Sequence, residues 1–207
     1  MLKIENISFS FPNRPIFKEL NLEVSSGQLV NLKGSNGAGK STLLSLIAGL
    51  LSPDEGEVYW VESGQKQDDR RPFLEYLPPE SNAMYTKMSA VANLSYWYRL
   101  RGLNPEFSMI KKNLSEWGLD QPLLLTDFAV EKFSTGMKRR LALARLCSSP
   151  ARCWILDEPL YGLDVNAVGL FREKIRAHIQ NGGCGLLVSH ELEPFQDLIT
   201  QTVNIGS

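Results

Sequence analysis

Histidine and cysteine are scarce in this sequence: two of the first and three of the second among 207 residues. Cys147, Cys153 and Cys184 form no CxxC pair and have no histidine at metal-ligand spacing. That excludes a zinc site or disulfide framework by pattern and leaves small buried hydrophobes in a reducing compartment as the expectation. Neither sign of charge prevails, since 22 Lys and Arg face 23 Asp and Glu for a formal net charge of −1. Without a basic stripe there is no electrostatic case for nucleic acid, and no nucleic-acid partner is expected. Long apolar runs are missing too. The greasiest stretch, residues 43–51, contains Ser45 and Gly49 and is too short to span a bilayer. The opening Met1-Leu2-Lys3-Ile4-Glu5-Asn6 lacks the apolar core of a secretory signal. Any membrane role is therefore expected to come through a partner.

What is present is an ordinary globular composition, 43% hydrophobic and 22% charged, arranged as strands alternating with helices. Residues 2–11 alternate around a phase shift at Glu5-Asn6 and predict an opening strand; residues 16–24 contain a second. Residues 28–33 form a short strand running straight into a glycine-rich loop, and residues 41–50 read as a buried helix ending before Pro53. Residues 57–61 return to strand, and the polar stretch 62–71 reads as a surface loop. Helix-like spacing then dominates at 91–100, 107–117 and 136–147. Apolar runs at 153–156 and 185–188 bracket a helix at 165–180, and 202–205 read as a last strand. Buried strands with little period-2 patterning, alternating with helices, predict an α/β fold with a mainly parallel sheet and an inserted helical subdomain.

The strongest local signal is Gly34-Ser35-Asn36-Gly37-Ala38-Gly39-Lys40-Ser41, which fits GxxxxGK[ST], the pattern expected of a P-loop NTPase core. Its glycines let successive backbone N–H groups turn toward phosphate oxygens. Lys40 supplies charge to the β- and γ-phosphates, and the Ser41 hydroxyl can ligate magnesium. The helix that follows adds its positive end. A second signal is the apolar run ending in Asp157-Glu158. It delivers two carboxylates at the C-terminal edge of a parallel sheet, where such sheets bind ligands. Asp157 would hold magnesium and Glu158 polarise the attacking water. Val188-Ser189-His190 ends another apolar strand, so His190 could reach the γ-phosphate or that water. His178 lies in a polar helix and is expected to be solvated.

These motifs, together with Phe133-Ser134-Thr135-Gly136-Met137 before a helix, occur in the order found in ABC-type nucleotide-binding domains, and the chain resembles that family along essentially its whole length. The resemblance implies an N-terminal antiparallel β subdomain, and a single ABC-type domain with residues 1–80 and 150–207 as core and 81–149 as helical subdomain. It implies ATP and magnesium as cofactors, with nucleotide held by the 34–41 loop and Thr42. Phe11 stands where an aromatic stacks on adenine, although a core strand aromatic is the competing reading. Ser134 and Gly136 match the signature that meets ATP bound by a second subunit, and Asp164 matches the D-loop aspartate. Two departures stand out. The signature reads FSTGM rather than LSGGQ, and the expected Q-loop glutamine is absent, leaving Glu80 (or Pro79) in its place.

A second ATP-binding subunit and an integral membrane permease are the partners implied, with the chain peripheral on the cytoplasmic face of the inner membrane. Within the family, the 154–159 and 142–146 runs, Glu57-Val58-Tyr59-Trp60 and Gly182-Gly183 resemble the ATP-binding subunit of haem exporters serving cytochrome c maturation. Small peptide and drug exporters share some of these marks. Two other readings stay open at this point: a soluble ABC ATPase acting on nucleic acid or ribosomes, and a regulatory ATP-binding module with little turnover.

Overall fold

The computed structural model describes residues 1–79 and 84–206. The chain opens with β1 (Leu2–Phe11) and β2 (Arg14–Val24), followed by β3 (Leu29–Lys33), α1 (Lys40–Ala48), β4 (Glu55–Glu62), β5 (Gln65–Gln67) and β6 (Leu74–Leu77). Then come α2 (Ala90–Leu100), α3 (Phe107–Glu116), α4 (Thr135–Cys147), β7 (Cys153–Asp157), α5 (Val165–Gln180), β8 (Cys184–Val188) and β9 (Gln201–Asn204). Two sheets result. An antiparallel one runs β2-β1-β4-β5, and a five-stranded one runs β6-β7-β8-β3-β9 with β7/β8, β8/β3 and β3/β9 parallel.

The phase shift read in the first strand is a bulge. The β1/β2 register jumps between Ile4 and Ile7, and Asn6 sits there at φ 52°. An extra residue at that point keeps Leu2, Ile4, Ile7 and Phe9 all facing inward, where they are buried. In β7 and β8 every residue is buried, which is why these strands lack alternation: a parallel strand covered on both faces has no polar side. Helix α1 buries Leu43, Leu44, Leu46 and Ile47 in the same core as β1, β3, β7 and β8. Each such side chain withdrawn from water contributes about 1.5–3 kcal/mol before conformational entropy is counted.

Two readings need correcting. The stretch 62–71 is not simply loop: it contains β5, and the half-buried Arg70 donates to Leu46 O, Ile47 O and Val58 O, closing the C-terminal turn of α1. Nor is His178 a solvated residue. Its ring stacks on Trp154 at 3.9 Å and 7°, with Nε2 3.1 Å from the Cys184 carbonyl. A flat ring with one donor suits that place, and Gly183 is glycine because a Cβ would lie 2.4 Å from the ring. The strand β6, which periodicity did not announce, completes one edge of the parallel sheet.

The chain divides into two compact units. One comprises residues 1–76, 151–158 and 175–207, and holds both sheets. The other comprises residues 77–150 and 159–174. Its helices α2, α3 and α4 pack on one another around Leu94, Ile110, Leu114 and Leu141, with Trp117 against Phe171. Among the described residues no helix is long and apolar enough to cross a membrane.

Candidate functional site

β3 ends at Lys33 and α1 begins at Lys40, so the 34–39 loop must reverse direction within a few residues. Gly37 (φ 81°) and Gly39 (φ 97°) make the turn in backbone conformations that side chains disfavour. Space is equally restrictive. A Cβ on Gly39 would lie 2.5 Å from Ile16 Cγ2 and 2.9 Å from Phe17 Cζ, and one on Gly34 would lie 2.5 Å from Ile205 O. The loop is thus clasped between β2 and the end of β9. Ser35, Asn36 and Gly37 are exposed, while Ala38 and Lys40 are half-buried.

Lys40 folds over its own loop, with Nζ donating to Gly34 O at 2.8 Å and Ser35 O at 3.0 Å. The ammonium therefore stands over the loop's mouth. Helix α1 has Gly39 as N-cap, with no side-chain cap and no acidic residue in its first turn. Its first N–H groups, including those of Ser41 and Thr42, suit an anion by partial charge and by unmet hydrogen bonding. Sequence reasoning missed Arg14, whose Nη2 donates to Gly37 O at 3.0 Å. Phe11 is its cross-strand neighbour in the β1/β2 pairing. That ring is 43% exposed and packs edge-on against the buried Phe9 at 5.1 Å, so Phe9 is the core aromatic and Phe11 keeps open surface close to the loop.

The acidic pair sits at the end of β7. Asp157 is 1% exposed. Beside it, the Tyr76 phenol is pushed up to about 12, first by burial and then by the Asp157 charge. Ser45, another neighbour of Tyr76, donates through Oγ to Ser41 O at 2.8 Å. Asp157 and Ser41 are hard oxygen donors. Among the described residues no group of three His, Cys, Asp or Glu could cage a metal. The oxygen donors of Asp157 and Ser41 are of the kind magnesium takes, one or two from protein with phosphate and water filling the shell.

Glu158 follows at φ 46°, a conformation uncommon for a residue with a side chain. Its N–H donates to Val188 O at 2.8 Å, tying it to the end of β8. The carboxylate then turns to the next loop: Oε2 accepts from the His190 N–H at 3.2 Å, and Oε1 lies 3.6 Å from His190 Nε2. A cleft of about 360 Å³ at these strand ends is lined by Gly34, Lys40, Glu158, Ser189 and His190, with Asn31 at its wall. Lys40, Glu158 and His190, expected to act together, thus border one cavity. A carboxylate beside an imidazole and an ammonium can orient a water and stabilise charge that develops on a phosphoryl group.

The signature candidates belong to the other compact unit. Ser134 is the N-cap of α4, accepting from Met137 N at 3.2 Å. Gly136 packs so closely on the 159–164 loop that a Cβ would lie 2.8 Å from Gly162 O. Asp164 caps α5 through a 2.8 Å bond from Ala167 N. Glu80 lies outside the described residues.

A parallel-sheet core with a phosphate-type loop after one strand and paired carboxylates after another defines a P-loop nucleotide-binding domain. The chain belongs to the ABC transporter family, whose pattern it matches over residues 17–161, and it is an ATP-binding, ATP-hydrolysing domain of that family.

Relatives narrow the comparison. The cytochrome c biogenesis ATP-binding export protein CcmA of Methylococcus capsulatus is 37% identical over 179 residues, covering 86% of this chain and 85% of the relative. That of Xanthomonas axonopodis pv. citri is 35% identical over 190 residues, 92% and 86% of the two chains. The solved ATP-binding subunit of an ABC transporter superposes with a TM-score of 0.84 at 25% identity, over 99% of this chain and 85% of that one. A dimeric post-hydrolysis state of the ATP-binding cassette MJ0796, bound to ADP and Pi, shares the fold with a TM-score of 0.83 at 20% identity, over 99% and 94%.

Proposed function

We propose that this chain is the ATPase of a small exporter serving cytochrome c biogenesis, acting as a pair of ABC domains on a membrane permease. The single observation that carries the catalytic part is the cleft that Lys40, Glu158 and His190 border together. The export part is supported by relatives named as cytochrome c biogenesis export proteins at 31–37% identity. Those names favour transport over action on ribosomes or nucleic acid.

In this reading the 34–41 loop and Thr42 hold the ATP phosphates, with the Phe11 ring facing the adenine. Lys40 leaves its carbonyl partners for the β- and γ-phosphates. Ser41 and Asp157 would hold magnesium, which when bound would supply neutralising charge on the phosphate oxygens. Glu158 orients a water for in-line attack at phosphorus, and His190, placed by its backbone bond to Glu158, contacts the γ-phosphate. Ser134, Gly136 and Asp164 serve the nucleotide bound by the second copy, and Glu80 takes the place of the Q-loop glutamine. Residues 1–80 and 150–207 act as the nucleotide-binding core and 81–149 as the helical part that carries the signature. The chain works at the cytoplasmic face of the membrane through its permease.

Two measurements test this. Lys40→Ala should lose ATP turnover and weaken nucleotide binding by about tenfold or more, the loss expected on removing a charged phosphate contact. In cells lacking this chain, holo-cytochrome c should be lost and restored by the wild type but not by Lys40→Ala. Normal holo-cytochrome c in the deletion would remove the export assignment while leaving the ATPase intact.

A further inference from the structure

A buried cation in the helical unit has no role in the reading above. Arg139 lies in the second turn of α4 and is 2% exposed. Burying a guanidinium is expensive unless its donors are engaged. Here Nε donates to Pro159 O at 3.0 Å and Nη1 to Pro78 O at 2.7 Å. Both acceptors are backbone carbonyls of proline residues. One begins the 159–164 loop, and the other precedes the segment in which Glu80 stands. A planar guanidinium can hold two acceptors in a fixed relation, which a single ammonium cannot.

The same loop is gripped a second time. Gly136, one turn before Arg139 on α4, lies against Gly162, where a Cβ would meet the carbonyl at 2.8 Å. Gly162 itself is at φ 75°, and the Thr135 Cγ2 methyl would lie 3.3 Å from a Cβ placed there. The first turns of α4 and the loop leading to Asp164 are therefore fastened at both ends, by Arg139 at Pro159 and by Gly136 at Gly162. Asp164 then fixes the start of α5 through Ala167 N.

We infer that Arg139 is a positioning residue that locks the Ser134 loop and the Asp164 loop into one rigid face presented to the second subunit. This rests on the proposed roles of Ser134 and Asp164. Its consequence is specific: the face matters for pairing over nucleotide and for turnover, whereas nucleotide binding by the single chain depends on the 34–41 loop and not on Arg139.

The test uses Arg139→Met, which keeps the apolar stem, and Arg139→Lys, which can satisfy one carbonyl and guards against a misfolded methionine variant. Ser134→Ala is run in parallel. Each is measured for kcat, for ATP affinity of the single chain, and for ATP-driven dimerisation in a Glu158→Gln background. The expected result is a fall in kcat of about tenfold or more for Arg139→Met, equivalent to about one charged hydrogen bond. Dimerisation should be lost, ATP affinity should stay within about twofold, and Arg139→Lys should fall between Arg139→Met and the wild type. A purely structural arginine would lower thermal stability without this split between kcat and affinity. Normal dimerisation and kcat in both Arg139 variants, beside a lost dimer in Ser134→Ala, overturns the assignment. So does an equal loss of affinity and turnover. A normal dimer in Ser134→Ala overturns the reading of the signature loop instead.

Discussion

Replacing Gly39 with alanine adds one methyl group at a point where both conformation and space oppose it. The residue is at φ 97°, and its new Cβ would lie 2.5 Å from Ile16 Cγ2 and 2.9 Å from Phe17 Cζ. Holding an L-residue in the left-handed region costs about 1–2 kcal/mol. Forcing a methyl into packed side chains costs about 1–3 kcal/mol more. The sum is about 2–5 kcal/mol. Gly27 supplies the matched control: it is at φ 81° but has nothing within 4 Å of a built Cβ. Gly27→Ala carries only the first cost, about 1–2 kcal/mol. For a chain of this size each kcal/mol moves Tm by about 2–4 °C. Thermal unfolding should therefore fall by about 2–8 °C for Gly27→Ala and about 4–20 °C for Gly39→Ala. Fluorescent-nucleotide titration at a temperature where both variants are folded should show binding kept in the first and weakened about tenfold or more in the second. Equal Tm values with unimpaired binding in Gly39→Ala would refute the claim that β2 clasps the loop.

Arg70→Ala removes the donors that close the last turn of α1 and leaves the Leu46, Ile47 and Val58 carbonyls in need of water. We expect a loss of about 2–3 kcal/mol in denaturant titration, with ATP affinity unchanged because the phosphate-facing end of α1 is the other one. For His178, burial holds the ring pKa below the usual histidine value, outweighing the Cys184 carbonyl bond that favours the charged form. The unfolded chain therefore takes up the proton first as pH falls. The stability from the neutral, stacked ring is complete above about pH 6.5 and is lost as pH drops toward the folded pKa, with a slope of up to about 1.4 kcal/mol per pH unit. His178→Phe keeps a ring on Trp154 and should flatten that part of the pH–stability curve. Replacing Phe11 with alanine should weaken ATP more than inorganic triphosphate, a comparison competition binding can make; equal weakening would return the ring to the role of a strand aromatic.

The site was legible where its geometry is local in sequence. Glycine spacing alone indicated a tight turn of the backbone, and the clash distances at Gly34 and Gly39 add that a side chain at either place has no room. The fully apolar runs of β7 and β8 likewise marked central strands, because burial on both faces removes alternation. The break at Glu5-Asn6 was legible as a phase shift of the inward-facing residues, and the pairing with β2 makes it a bulge.

What stayed hidden depends on partners far apart in the chain. Arg70 looked like surface charge, yet its acceptors lie in α1 and β4. His178 looked solvated because its helical neighbours are polar, and nothing local announces Trp154 beneath it. Tyr76 beside Asp157, Arg14 on Gly37 and Arg139 on two proline carbonyls are of the same kind. β6 escaped notice because four residues are too few to show a period.

The account stands on one hydrolytic centre built from a phosphate loop and the carboxylate after β7. Measuring ATP affinity and phosphate release together in Glu158→Gln tests it most directly. ATP affinity should remain within about threefold of the wild type, while phosphate release at saturating ATP and magnesium falls about a hundredfold or more. Phosphate release at the wild-type rate with affinity intact would contradict it.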